Sequence, residues 1–124
     1  MPTKAWFPSH ALLNRRMSDL ATRLAQLAAS GEILTYGALA RDLAIPGPGA
    51  IAKLTAALET MMRADAQAGR PLRAVLCAGR MGNGLPAPGF FQLAQQLGRF
   101  DGSDAAAFVA AERALIWQSA ASPS

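Results

Sequence analysis

The chain holds one cysteine, one histidine and one tyrosine in 124 residues, and only 16% of it is charged. A lone Cys77 forms no internal disulfide, fits a reducing compartment and removes any metal site built from cysteines. His10 has no second histidine to share a metal or to serve in a His-dependent pair. The acids are scattered and draw no paired-carboxylate signature. The glycine-rich stretch Gly79-Arg80-Met81-Gly82-Asn83-Gly84 lacks the Walker lysine and the GxGxxG spacing, and no GxSxG occurs. These absences lead us to expect no catalytic constellation, no cofactor and no metal. No apolar run reaches bilayer length. The opening Met1-Pro2-Thr3-Lys4-Ala5-Trp6 lacks an apolar stretch with a cleavage site, so a cytoplasmic location and no membrane partner are expected.

What is present is enough apolar mass, 52% of the residues, for one core in a single domain over residues 1–124. Much of that mass is alanine, which favours helix but buries little area, so Leu, Ile, Met, Phe and Trp must build the core.

Leu13, Met17, Leu20, Leu24 and Leu27 recur at steps of four and three, predicting a long first helix from a Ser9 cap to a stop at Gly31. Arg15, Asp19 and Arg23 line its other face at four-residue steps. Ile33 and Leu34 suit a short extended segment. Thr35 then caps a compact helix to about Leu43, with Tyr36, Leu39, Ala40 and Leu43 on one face. Ile45-Pro46-Gly47-Pro48-Gly49 breaks the chain before a helix over 50–68, with Ile51, Leu54, Leu58, Met61 and Met62 inward. Leu72 to Cys77 alternates and reads as a strand, followed by an Asn-Gly turn that favours a hairpin. Helices over about 90–97 and from a Ser103 cap to about Gln118 complete the chain, the last docking through Phe108, Ala111, Leu115 and Trp117. The fold class is mainly α with a small β element.

Net charge is +4, and residues 66–100 carry Arg70, Arg73, Arg80 and Arg99 with no acid. Such a stretch is the footprint of a polyanion binder, and equally of a solvated arginine-rich surface. Two helices around a tight turn, then a strand and hairpin, suggest a winged helix-turn-helix over about 33–98. Its second helix would enter the major groove while wing arginines reach flanking phosphates.

Thr35-Tyr36-Gly37-Ala38-Leu39-Ala40 resembles the TYGxLA segment that opens the helix-turn-helix of alkylguanine DNA alkyltransferases and alkyltransferase-like proteins. Pro71-Leu72-Arg73-Ala74-Val75-Leu76-Cys77 and the glycine-rich turn are similar to that family's PCHRVV strand and following loop. The resemblance implies that Tyr36 presses on DNA to help flip a nucleotide. It also implies an arginine in the recognition helix; none stands there, and Lys53 lies nearby. The nucleophilic cysteine falls on Leu72 and the histidine base on Arg73, which removes transfer chemistry. The expectation is a non-catalytic DNA-binding module using Tyr36, Lys53, Arg70, Arg73 and Arg80. The alternative is a protein-interaction or homodimer module anchored on Phe90 and Phe91 beside a Pro/Gly-rich loop. Buried phenylalanines with exposed cations favour nucleic acid; an exposed Phe/Leu patch favours a protein.

Overall fold

A computed structural model describes the backbone of residues 8–80 and 83–121 and the side chains from Met17 onward within those ranges. The order is α1 (Pro8–Ser30), β1 (Leu34–Thr35), α2 (Tyr36–Asp42), α3 (Ala50–Ala68), a 3-10 turn (Arg73–Leu76), β2 (Cys77–Ala78), α4 (Pro88–Gln96) and α5 (Ala105–Ala121). The protein is mainly helical with a small β element. No described helix is long and apolar enough to cross a membrane.

α1 begins one residue ahead of the expected Ser9 cap, and the side chains of Leu13 and Arg15 lie outside the described residues. Its stripe buries Leu20, Leu24 and Leu27 almost completely. Gly31 ends it in the left-handed region (φ 73°), where a side chain would be strained. Arg23 reaches across to α2 and donates to Asp42 at 3.1 Å. Thr35 Oγ1 accepts from the Ala38 N–H at 3.1 Å, so the expected cap starts α2.

Leu72–Cys77 departs from the expected strand. Alternation would leave every second side chain out of the core, yet Leu72 and residues 74–78 are all buried. The backbone has other partners. Leu72 N–H donates to Glu112 Oε2 at 2.8 Å, Arg73 N–H to Asp65 Oδ2 at 3.0 Å, and Val75 N–H to Leu72 O at 3.0 Å. Donors satisfied by two carboxylates and a tight turn need no sheet. The 3-10 turn becomes the hub against which α1, α3 and α5 pack.

The sheet pairs Leu34 with Cys77 and Thr35 with Ala78 in parallel. It joins the segment before α2 to the one after the hub, and among the described residues it is not a hairpin. α5 docks partly as expected. Phe108 and Trp117 pack against the core, but its buried residues are Val109, Glu112 and Ile116, while Ala111 is exposed and Leu115 is 49% exposed. The inward stripe includes Glu112 because its carboxylate meets the Leu72 N–H. Ile51, in the first turn of α3, is 45% exposed rather than buried. Asp104, not Ser103, caps α5, with Oδ1 accepting from Ala107 N–H at 3.1 Å. Ser103 instead donates its N–H and hydroxyl to Asp101, which holds that carboxyl below its usual pKa.

Candidate nucleic-acid interface

The α2–turn–α3 unit is built from caps and glycines. The turn is closed by Ala44 N–H to Arg41 O and Ile45 N–H to Ala40 O, at 3.0 and 3.1 Å. Gly49 precedes α3 in the left-handed region (φ 77°), and no side chain caps the helix there. The first-turn N–H groups of α3 therefore keep their partial positive charge. Lys53 stands in that turn, exposed, with Nζ donating to Pro46 O at 3.3 Å.

Arg70 and Arg73 have a different position. Both converge on Asp65, a fully buried carboxylate in the last turns of α3. Arg73 donates Nη2 to Oδ1 at 2.8 Å, and Arg70 donates Nε to Oδ1 at 3.0 Å. Lys53 and Asp65 are twelve positions apart on one helix, about 18 Å at 1.5 Å per residue, so the two groups cannot share a phosphate. Arg99 is likewise engaged, donating to Glu112 at 3.4 Å and to Arg70 O at 2.8 Å. Three of the four arginines in the acid-free window of 66–100 are thus matched by acids outside it, Asp65 and Glu112. Among the described residues, Arg41, Lys53, Arg63 and Arg80 are exposed and make no ion pair.

Arg80 extends from a loop fastened at several points. Gly79 N–H donates to Leu85 O at 2.9 Å, and Asn83 Oδ1 accepts from Leu85 N–H at 3.0 Å. The Tyr36 hydroxyl accepts from Ala87 N–H at 3.0 Å. Tyr36 is half-buried, and burial raises its pKa above the ordinary 10.0 although the Ala87 bond works against that. Its ring packs against the core while its hydroxyl holds the loop. Between this loop and α4 lies a groove of about 550 Å³, with Phe91 and Phe100 in its walls and Arg80, Gln92 and Gln95 at its edges.

Arg113 was not singled out by the sequence. From α5 it donates Nε to Val75 O at 2.8 Å and Nη2 to Gly84 O at 2.6 Å, linking the hub to the loop. Burial lowers its pKa below the ordinary arginine value. The available signal was faint: Glu112 and Arg113 are the only charges in a seventeen-residue helix, and a helix so poor in charge tends to spend it inside.

Cys77 is fully buried, and desolvation pushes its thiol up to about 12. It is a core residue with no thiolate at neutral pH. Among the described residues, no three His, Cys, Asp or Glu side chains gather as metal ligands would. Phe90 is 6% exposed and meets Phe91 edge-on at 5.2 Å, while Phe100 and Phe108 stack at 4.8 Å. The four rings form one cluster, in which Phe90 and Phe100 are buried and Phe91 and Phe108 partly so. Compared with known proteins, the chain matches no family model, no curated protein and no solved structure.

Proposed function

We propose that the chain is a non-catalytic, winged-helix-like DNA-binding module that holds phosphates through Lys53 and Arg80, assisted by Arg41 and Arg63. In this reading α3 approaches the duplex by its uncapped N-terminus, and the Gly79–Ala87 loop serves as the wing. Arg70 and Arg73 anchor the hub through Asp65; Arg70, with half its side chain exposed, contacts phosphate at most from the side. The observation that carries the proposal is the sorting of cations into those spent on buried carboxylates and those left in solvent. A lysine beside open helix amides is a common anion-binding combination.

The resemblance to alkyltransferases belongs to the same proposal. Thr35 and Tyr36 open α2 as that motif would, and Leu72, at the place of the nucleophile, is wholly buried. Group transfer therefore has no part in it. A partner anchored on Phe90 and Phe91 has less support, because Phe90 is inside and both rings pack on their own cluster.

Anisotropy titration of a short labelled duplex across salt tests the reading. Four phosphate contacts give a log–log slope of about −3.6, so raising salt from about 50 to 200 mM weakens binding roughly 150-fold. Binding absent at the lower salt, or indifferent to salt, would overturn it.

A further inference from the structure

We infer that Arg113 is a positioning residue: by bridging the carbonyls of Val75 and Gly84 it ties the described flanks of the Arg80 loop, residues 79–80 and 83–87, to the hub. The inference rests on the DNA reading above and deepens it, since Arg113, half-buried and bonded to two main-chain carbonyls, would act through the loop.

The bridge joins places far apart in the chain. Val75 is in the buried 3-10 turn, thirty-eight positions before Arg113, and Gly84 is in the loop, twenty-nine before it. A guanidinium presents its donors in a fixed planar fork, so two simultaneous acceptors set their own separation and direction. Among the described residues no carboxylate pairs with Arg113; the only other charge of α5, Glu112, is taken by Leu72 N–H and Arg99. A half-buried cation without a counter-ion is costly, and a leucine would fill the same space without that cost. What arginine adds here is the bridge.

The remaining fastenings act on the same segment. Gly79 N–H is held by Leu85 O, on one side of Arg80, and Ala87 N–H by the Tyr36 hydroxyl on the other. Pro86 and Pro88 restrict the backbone between and beyond them. Arg80 thus leaves a backbone whose both ends are set from below by α2, the hub and α5. A loop ordered in advance spares the loss of freedom that binding would otherwise impose.

Two variants separate geometry from charge. Arg113→Met keeps length and removes the bridge; Arg113→Lys keeps charge but replaces the rigid fork of two nitrogens with a single one. Both are compared with Arg80→Ala by duplex titration across salt and by amide hydrogen exchange at Gly79 and Ala87 without DNA. Tyr36→Phe, which removes the Ala87 fastening alone, serves if the Arg113 variants lose their cooperative melt. Expected are faster exchange at Gly79, affinity about three- to tenfold lower for both Arg113 variants, and an unchanged salt slope. Arg80→Ala instead flattens the slope by about 0.9. A flattened slope in Arg113→Met would mean direct phosphate contact, and full recovery by Arg113→Lys would mean that charge is what matters; either overturns the inference. So does unchanged exchange. If the parent binds no duplex, the DNA reading falls and this role falls with it, while exchange still reports whether the bridge holds the loop.

Discussion

Replacing Asp65 by alanine should be among the most damaging single changes to the fold. Its carboxylate accepts the Arg73 N–H, Nε and Nη2 and the Arg70 Nε, all at 2.8–3.1 Å, and it is wholly buried. Breaking a buried pair costs about 3–5 kcal/mol when the orphaned partner stays buried. Here the guanidiniums can turn to water, since the side chains of Arg73 and Arg70 are 33% and 51% exposed. Their share is discounted accordingly. The Arg73 N–H has no such escape, and leaving it unpaired costs about 1–3 kcal/mol. Together with the emptied space, a loss of about 3 kcal/mol is expected. At this chain length that is a fall in melting temperature of about 10 °C by circular dichroism. Asp65→Asn keeps one acceptor for the N–H and should fall about half as far. Arg70→Ala should cost under about 1 kcal/mol. An Asp65→Ala melt within about 2 °C of the parent would refute the claim that this carboxylate organises the hub.

Other expectations concern the thiol, the last cap and the loop. Cys77 should resist alkylation at pH 8 in the folded protein and react fully in denaturant; labelling at equal rates in both states would show the strand is open. Because its folded pKa of about 12 lies above the ordinary 9.0, its contribution to stability is complete below pH 9 and is lost as pH rises toward 12. Tyr36, also raised, acts in the same direction, so urea midpoints should fall over that alkaline range, and less steeply in Cys77→Ala. Asp104→Ala should lose about 1 kcal/mol with the cap. Asp104→Gly should lose less, because residue 104 sits at φ 38°, which glycine adopts freely; equal losses in the two variants would remove the backbone part of that reasoning.

The elements governed by neighbours in sequence were readable in advance. The Gly31 stop, the Thr35 cap and the breaks at Gly49 and Gly69 set α1, α2 and α3 through bonds spanning a few residues. The hub was not readable, because the groups that turn Leu72–Leu76 into a 3-10 turn come from Asp65 and Glu112, up to forty positions away. The same two carboxylates explain the charge map. Three of the four arginines in residues 66–100 looked uncompensated because their acids lie at 65 and 112, so a window in sequence was not a patch in space. Lys53 and Arg80 were grouped with Arg70 and Arg73, and no local signal marked the latter two as spent on Asp65. Arg113 was hidden, since its partners are main-chain carbonyls that carry no mark of sequence.

Phosphate contact is proposed for Lys53 and Arg80, and anchoring of the hub for Arg70 and Arg73. Salt-dependent duplex titration of Lys53→Ala/Arg80→Ala beside Arg70→Ala/Arg73→Ala, both checked for helicity, tests this division directly. The first pair should flatten the slope by about 1.8, and the second should leave it unchanged while lowering the melting temperature. The reverse pattern, or a parent protein that binds no duplex at about 50 mM salt, would contradict it.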